Sequence, residues 1–147
     1  MSNKIIRGVS IIFYKDIGGQ RLYLTIFNTK TNNVSITSGA EDEEDGGDLF
    51  RTANREIKEE LNINPDEYIL HPTGIINSFI FDKYKTEREG CQAEYYVFYA
   101  DISSIKREIY QMEEAKYIKW LSESEIINLL TFPNQTQVFL DTIKLIP

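Results

Sequence analysis

The sequence predicts a mixed α/β sandwich, with one main helix in the middle of the chain, strands on both sides of it and helices at the end. Apolar residues with helical spacing occupy residues 49–61, whereas the stretches before and after are rich in β-branched and aromatic residues. The 147 residues, 41% of them hydrophobic, suffice for one core and are too few for two ordinary ones. We therefore expect residues 1–147 to form a single domain.

The first half of the chain predicts a β-hairpin followed by the main helix. Residues 7–29, "RGVSIIFYKDIGGQRLYLTIFNT", are two apolar segments separated by the turn "DIGGQ". Residues 34–37 predict a further short strand, and the acidic loop "GAEDEEDGGD" follows. Asp48 can cap the first turn of the helix through its side-chain oxygen. Asn62 can end the helix because asparagine tolerates the left-handed conformation.

The second half of the chain predicts three more strands and two helices. The strand-like stretches are "YILHPTGIINSFIF", "AEYYVFYADI" and "AKYIKWL", and the polar loop "DKYKTEREG" separates the first two. "SESE", residues 122–125, has the pattern of a capping box ahead of "IINLL". Pro133 predicts the start of a final helix, whose apolar residues keep helical spacing: Val138, Phe139, Ile143 and Ile146.

Composition excludes several classes of function. A formal charge of −7 argues against binding to macromolecular nucleic acid or to an anionic membrane, because no basic patch is available. No apolar run approaches the roughly 18 residues of a membrane helix, and the first residues lack a secretory signal, so we expect a cytoplasmic protein. The single Cys91 excludes an internal disulfide, and we interpret Cys91 and the single His71 as structural residues. An anionic substrate would then require a divalent metal.

The main helix combines an apolar stripe with an acidic edge. On a helical wheel of about 100° per residue, the apolar residues cluster around one direction and predict the buried stripe: Leu49, Phe50, Ala53, Ile57 and Leu61. Glu60 lies at the border of that stripe, at about −60° from its centre. Glu56 and Glu59 follow at about −100° and −160°. One carboxylate therefore points partly into the core, and two more lie beside it.

Two interpretations of this acidic edge remain open. The first is a solvated helix face with pairs such as Arg55 and Glu59, each contributing about 0.2–0.5 kcal/mol. The second is a metal site, which Glu60 favours because an unpaired carboxylate at a core border costs several kcal/mol. Mg²⁺ or Mn²⁺ prefers oxygen ligands and would cancel the repulsion between clustered carboxylates.

The acidic run "EDEED" ahead of the helix does not match a calcium loop. With Gly46 as the invariant glycine of an EF-hand, the twelfth position would be Thr52 instead of the glutamate that the motif requires. We interpret the run as a solvated acidic loop and not as a ligand set.

The helix and its flanks resemble the Nudix box, G-x5-E-x7-R-E-U-x-E-E-x-G-U, where U is a bulky apolar residue. Six residues match at the correct spacing: Arg55, Glu56, Ile57, Glu59, Glu60 and Ile63. Three depart from the pattern: Glu41 and Asn62 stand in place of glycines, and Gly47 stands in place of the isolated glutamate. An alternative alignment takes Gly39 as the first glycine and adds two residues to the loop.

The resemblance extends over nearly the whole chain. "IRGVSIIFY", "ITSGAED" and "EEAKYIKWLSESEIINLL" look like the corresponding segments of the Nudix branch that includes dATP and dihydroneopterin triphosphate pyrophosphohydrolases. This resemblance implies an α/β/α sandwich around a mixed β-sheet, the Nudix fold. It also implies that the box forms a loop, helix and loop that hold a divalent metal against a diphosphate.

The same resemblance implies roles for individual residues. It makes Glu56, Glu59 and Glu60 the metal ligands and Arg55 the residue that orients them. An acid from outside the box often serves as ligand or base, and Glu114 is the best match, with Glu113 as the alternative. The catalytic set is then Arg55, Glu59, Glu60 and Glu114. Glu44 or Glu43 could supply the carboxylate that Gly47 lacks.

The implied activity is hydrolysis of a nucleoside or pterin triphosphate to a monophosphate and pyrophosphate, with Mg²⁺ or Mn²⁺ as cofactor. Gly39 and Ala40 would contact the substrate, and Arg7, Lys85 and Arg88 would help to hold its phosphates. The only expected partner is this small molecule, and we expect a monomer or a homodimer. Because Gly47 replaces the box glutamate, a weak or inactive Nudix-like nucleotide-binding domain is the alternative. A purely structural domain is the third interpretation.

Overall fold

The computed structural model describes residues 4–81 and 90–147, which form a mixed sheet with helices on both faces. The strands of the described residues are β1 (Ile5–Ile17), β2 (Gln20–Asn28), β3 (Asn33–Ser35), β4 (Thr37–Ala40), β5 (His71–Ile80), β6 (Gln92–Asp101) and β7 (Lys116–Leu121). The helices are α1 (Leu49–Leu61), α2 (Glu123–Leu129) and α3 (Pro133–Ile143). Short 3-10 turns lie at Glu43–Asp45 and Pro65–Glu67.

Strand β1 is the centre of the sheet. The sheet runs β3-β2-β1-β6-β5, with β4 paired to β1 and β7 paired to β2. One edge of β1 pairs antiparallel with β4 and then with β2, and the other edge pairs parallel with β6 along ten residue pairs. The predicted hairpin is therefore present, and the parallel β1–β6 pair makes the sheet mixed, as predicted.

Two hydrophobic cores lie on opposite faces of the sheet. On one face, Ile57 and Leu61 of α1 belong to the same buried cluster as Val9 and Phe13 of β1. On the other face, Ile12 and Tyr14 of β1 belong to a buried cluster with residues of α2 and α3. In the same cluster, Tyr23 of β2 meets Phe139 of α3 at 4.9 Å between ring centres. Helix, sheet and helix thus form the three predicted layers.

The predicted ends of the helices are confirmed. The Asp48 side chain accepts a hydrogen bond from the Phe50 amide at 2.9 Å. Asn62 closes α1 with φ 54° and ψ 40°, the left-handed conformation predicted for it. Ser122 and Glu125 form the capping box of α2, and Pro133 is the first residue of α3.

Three sequence predictions about the fold are wrong in detail. Phe50 is 45% exposed, although its ring meets that of Phe98 edge-on at 5.2 Å. The single strand expected at residues 34–37 is divided at Ile36, where the chain changes its partner from β2 to β1. The Ile36 amide bonds instead to Gln135 Oε1 at 3.2 Å. Ile146 is buried but lies beyond the end of α3.

Cys91 and His71 are the single cysteine and the single histidine of the chain, and both were expected to be structural residues. Cys91 is a free and buried cysteine in a small cluster with Phe81 and Tyr95. His71 is an exposed residue of β5 whose ring stacks on Tyr99. Both observations agree with structural roles. In the part of the chain that the structure describes, no helix has the length and apolar character needed to span a bilayer.

Candidate functional site

Strand β4 ends against the acidic edge of α1. A Cβ atom on Gly39 would overlap the carboxyl group of Glu56, so only glycine leaves room for that carboxylate. The next residue, Ala40, accepts a hydrogen bond through its carbonyl oxygen from Arg55 Nη2 at 3.0 Å. The structure therefore brings together four residues that the sequence selected separately: Gly39, Ala40, Arg55 and Glu56.

Arg55 is the centre of a charged network. Its Nη1 donates to Glu56 Oε1 at 3.0 Å and to Glu59 Oε2 at 3.3 Å. Its Nε and Nη2 donate to the two carboxylate oxygens of Asp45, at 3.0 and 2.9 Å. These bonds, with that to Asp45 the strongest influence, raise the pKa of the guanidinium above its ordinary value. Arg55 thus touches two of the three predicted metal ligands.

Asp45 is the residue of this network that sequence reasoning missed. Its side chain is almost completely buried, and it accepts two further hydrogen bonds at 2.9 Å, from Thr52 Oγ1 and from the Asp42 amide. The Arg55 guanidinium, followed by these donors, holds the pKa of the Asp45 carboxyl well below its usual range, against the opposing effect of burial. The prediction of a solvated loop is therefore wrong for Asp45, whereas Glu43 and Glu44 are exposed as predicted.

One signal in the sequence could have indicated such a residue. A buried or half-buried arginine needs an acidic partner, and Gly47 supplies none at the box position. The acids nearest in sequence lie in the loop ahead of the helix. The sequence alone does not say which of them turns inward, because the choice depends on the 3-10 turn at Glu43–Asp45 and its left-handed end at Gly46.

Glu60 has a different environment. It is half-buried, and burial raises the pKa of its carboxyl to about 7, with the charges of Glu56 and Glu113 raising it further and Lys116 opposing them. Burial also raises the pKa of Glu56, in spite of its bond to Arg55. Burial therefore disfavours the charged form of two carboxyl groups that lie one turn apart on α1.

The segment that precedes β7 supplies the acid from outside the box. The Met112 amide donates to the backbone carbonyl of Glu60 at 2.9 Å and fastens this segment to α1. Glu113 acts on the pKa of Glu60 and pairs with Lys116 at 3.2 Å. Glu114 is exposed. These contacts favour Glu113, the alternative, over Glu114 as the acid nearest to Glu60.

The donor types fit a hard divalent cation. Glu56, Glu59 and Glu60 offer carboxylate oxygens on one side of α1, and the raised pKa values of Glu56 and Glu60 reflect charge that a cation would neutralise. Within residues 4–81 and 90–147, however, no three acidic, histidine or cysteine side chains converge as a ready ligand set. Arg55 occupies Glu56 and Glu59 in this arrangement, so a bound metal requires these side chains to turn from it.

A cleft of about 500 Å³ opens beside this site, with Arg7, Ala40 and Gly47 in its wall. The guanidinium of Arg7 lies 5.7 Å from the centre of the Tyr96 ring, and its Nε is 3.8 Å from Glu41 Oε1. That Nε is buried and makes no hydrogen bond with the residues described. Lys85 and Arg88, the other predicted phosphate contacts, lie outside the described residues.

The comparisons with known proteins identify the fold. No family model matches the chain, and neither does any curated protein sequence. Among solved structures, the chain resembles a proposed Nudix hydrolase from Listeria monocytogenes with a TM-score of 0.77 and 18% identity, covering 92% of this chain and 90% of that one. It resembles the E. coli dihydroneopterin triphosphate pyrophosphohydrolase with a TM-score of 0.73 and 17% identity, covering 89% and 90%.

A third neighbour is a binding complex. The Nudix domain of Shewanella oneidensis NrtR, solved with ADP-ribose, has a TM-score of 0.75 and 11% identity to this chain, covering 98% of it and 90% of that domain. These likenesses extend over nearly the whole of each chain. The α/β/α sandwich predicted from the sequence is therefore the Nudix fold.

Proposed function

We propose that this chain is a divalent-metal-dependent Nudix pyrophosphohydrolase that cleaves a nucleoside or pterin triphosphate to a monophosphate and pyrophosphate. One observation carries the proposal: Glu56 and Glu60 lie one turn apart on the helix of a Nudix fold, and burial disfavours the charged form of both carboxyl groups. A solvated ion-pair face would leave such side chains in water with ordinary pKa values. The fold instead buries the carboxyl groups of Glu56 and Glu60 partly and keeps them one helical turn apart. This arrangement favours a cation between them.

The proposed metal is Mg²⁺ or Mn²⁺, held by Glu56, Glu59 and Glu60. When bound, it would neutralise phosphate charge and lower the pKa of a water molecule. Gly39 leaves the space in which the Glu56 carboxylate lies, and Arg55 fixes its direction. The protein's own contribution is thus to place the Glu56 carboxylate at the end of β4, from where it would turn from Arg55 to a cation.

Proton transfer is the second task of the site. Glu60 is the proposed proton acceptor, because the resemblance places it in the catalytic set and a positioned carboxylate can take up the proton of an attacking water. An acid of the segment before β7 assists it. We keep Glu114 as the residue that the resemblance selects, and the contacts support Glu113 for the same role.

The triphosphate would lie in the cleft beside Ala40. Arg7 supports this assignment because it lies in the wall of that cleft and carries a positive charge. With a net charge of −7, the protein needs such local cations to hold an anionic substrate, and Lys85 and Arg88 remain predicted contributors. The base, sugar or pterin is left to be found by experiment.

A second candidate is a nucleotide-binding domain with little or no turnover. Gly47 favours it, since the box glutamate is missing there and a left-handed φ of 80° makes a glutamate difficult to accommodate. Among the described residues, no three possible metal ligands converge, which also favours the candidate with little turnover.

A substrate screen tests the proposal. The purified protein is incubated with nucleoside triphosphates, dihydroneopterin triphosphate, dinucleotide polyphosphates and nucleotide sugars, with Mg²⁺, Mn²⁺ or EDTA, and pyrophosphate and phosphate are measured. We expect metal-dependent release of pyrophosphate from a triphosphate. The Glu59→Gln/Glu60→Gln variant, purified in parallel, controls for contaminating enzymes. Binding without turnover would support the second candidate, and neither binding nor turnover would exclude both.

A further inference from the structure

We propose that a cavity on the α1 side of the sheet binds a small molecule with an apolar body and a single carboxylate group. The cavity has a volume of about 280 Å³ and lies between strands β1 and β7 and the connection from β6 to β7, residues 102–115. None of the residues that line it is a proposed metal ligand or a proposed contact of the triphosphate. The cavity is therefore a second site.

Most of the cavity wall is apolar. Ile102 is almost completely buried, and the other hydrophobic side chains of the wall are partly buried at the border of the core under α1: Ile105, Ile109, Ile118 and Trp120. An engineered apolar cavity of about 150 Å³ takes up benzene. A volume of about 280 Å³ therefore has room for one aromatic ring with a short side chain.

Hydrogen bonds fasten the connection that forms one wall of the cavity. The Ile102 amide donates to the backbone carbonyl of Tyr14 at 2.9 Å, where the connection leaves β6. Further along, Arg107 Nη2 donates to the backbone carbonyl of Asn62, at the end of α1, at 2.9 Å. The connection is thus tied to both β1 and α1. A cavity with walls held in this way is already formed before a ligand enters, as most small-molecule sites are.

Lys15 gives the cavity a positive charge. Its Nζ lies 4.0 Å from the centre of the Trp120 ring, and burial lowers the pKa of this ammonium group. In the described part of the chain Lys15 has no acidic partner, because Asp16 pairs with Arg21 at 2.7 Å and Glu108 of the wall forms no ion pair with it. A half-buried cation without a counter-ion is stabilised by a bound anion.

The other charges in the wall favour a ligand with one negative charge. The Arg107 guanidinium is already paired with Glu67 at 2.8 Å, so Lys15 is the available cation of the lining. Glu108 adds a negative charge to the same wall. A phosphate monoester, with a charge of about −1.5 to −2 at neutral pH, would be repelled by Glu108. A carboxylate brings the single charge that Lys15 can match.

Trp120 provides the measurement, because it is the only tryptophan of the chain. Its fluorescence is titrated with 3-phenylpropionate and with the neutral and cationic molecules of similar shape, 3-phenylpropanol and 3-phenylpropylamine. We expect saturable binding of the carboxylate, about 10- to 100-fold weaker binding of the alcohol, as for loss of a hydrogen bond to a charged group, and the weakest binding of the amine. Absence of saturable binding of the carboxylate, or equal or tighter binding of the alcohol or the amine, would overturn the proposal.

Substitution of Lys15 tests the role of its charge. Lys15→Met should bind 3-phenylpropionate about 10- to 100-fold more weakly than the wild type, and 3-phenylpropanol equally well. Lys15→Arg should keep the preference for the carboxylate. The matched control is Lys119→Met, the same change on β7, because Lys119 lies over the Phe27 ring on the other face of the sheet. An unchanged affinity of Lys15→Met for the carboxylate, or an equal loss in Lys119→Met, contradicts the proposal.

A cavity-filling variant tests the place of binding. Ile109→Phe should weaken the binding of both the carboxylate and the alcohol, since Ile109 lines the cavity and is only half-buried. If this variant melts below the assay temperature, Ile105→Phe takes its place. The rise in melting temperature with 3-phenylpropionate gives a second readout that does not rely on Trp120. Undiminished binding to a folded cavity-filling variant would exclude this cavity as the site. None of these measurements requires a metal ion or hydrolysis, so their outcome is independent of the proposed function.

Discussion

Asp45 and Glu60 are both carboxylates removed from water beside the same helix, and the protein treats them in opposite ways. Asp45 receives four hydrogen bonds, two of them from a guanidinium, and its pKa is held well below its usual range. Glu60 lies between other acids, with Lys116 as the nearby opposing charge, and its pKa is raised to about 7.

The difference shows that burial alone does not decide whether an acid is charged. A carboxylate with enough hydrogen-bond donors stays ionised in the interior. A carboxylate with fewer donors is more readily protonated, or is stabilised by a bound cation. The fully paired acid lies behind Arg55 as part of the framework. The less fully paired acid, Glu60, is one of the proposed metal ligands.

Neutralising Glu60 should have the largest effect of the changes described here. Glu60→Gln should lower turnover by roughly 10²–10⁴-fold, the range typical of lost acid–base groups. It should also reduce the rise in melting temperature that Mg²⁺ gives the wild type, since a ligand stabilises only the state that binds it. Pyrophosphate release and thermal melts with Mg²⁺ or EDTA measure both effects.

The matched control for this variant is Glu123→Gln, an equal change of charge on the other face of the sheet, which should leave turnover and the Mg²⁺ shift unchanged. Equal turnover and equal Mg²⁺ shifts in wild type and Glu60→Gln would remove Glu60 from the site.

The pH dependence of stability should also differ between Glu60 and Asp45. The folded pKa of Glu60 lies above its unfolded value, so the folded state binds the extra proton, and its contribution is present at low pH and lost as pH rises through about 7. In EDTA, the free energy of unfolding should therefore fall between pH 5 and pH 8, by on the order of 3 kcal/mol from Glu60. Glu60→Gln should flatten the curve, with Glu56 leaving a smaller slope of the same sign.

The contribution of Asp45 to stability changes with pH in the opposite direction and over a different pH range. Its folded pKa is depressed, so its contribution is complete above the unfolded value near pH 4 and is lost only in stronger acid. Asp45→Asn should lower the free energy of unfolding by a similar amount at pH 5 and at pH 8. Urea melts at both values measure this, and a loss confined to pH 8 would contradict it.

Gly39 provides the space for the Glu56 carboxyl group, which lies beside both Arg55 and Glu60. Gly39→Ala should destabilise the protein by about 1–3 kcal/mol, because the new Cβ displaces the Glu56 carboxyl group. In a Glu56→Ala background the same change should be nearly neutral, since the overlapping group is gone. Urea melts of the four proteins give the coupling energy, and additive losses would show that Glu56 is not what makes glycine necessary.

The smallest expected effect lies at the end of α1, outside the charged network. Asn62→Val should cost about 1–2 kcal/mol, because a β-branched residue disfavours the left-handed conformation. Asn62→Gly should change stability by only a few tenths of a kcal/mol. Neither should alter the Mg²⁺ shift. Equal urea midpoints for the two variants would show that the backbone conformation of residue 62 carries no strain.

Much of the fold was predictable because its signals are local. Asp48, Asn62 and Pro133 act on the turn of helix in which they lie, so the bounds of α1 and the start of α3 follow from neighbouring residues. Phe50 was not predictable in this way. A helical wheel gives the direction of a side chain but not how far the sheet extends beneath it.

Some residues of the candidate site could likewise be predicted from the sequence, and others could not. The spacing of Arg55, Glu56, Glu59 and Glu60 is a property of one helix, and the sequence gives it completely. The role of Asp45 depends on which of several similar acids turns inward, and that is decided by a contact across ten residues of chain. The approach of Gly39 to Glu56 depends on how a strand and a helix pack, which no local pattern encodes.

The long parallel pairing of β1 with β6 has a consequence for the nascent chain. Ile5 pairs with Gln92 and Tyr14 with Asp101, so the central strand cannot complete its sheet until most of the protein has left the ribosome. At roughly 5–20 residues per second, synthesis leaves β1 without this partner for on the order of ten seconds. During that time an unusually apolar segment stays open to chaperones and to other unfinished chains, and partial products should aggregate unless they extend past residue 101.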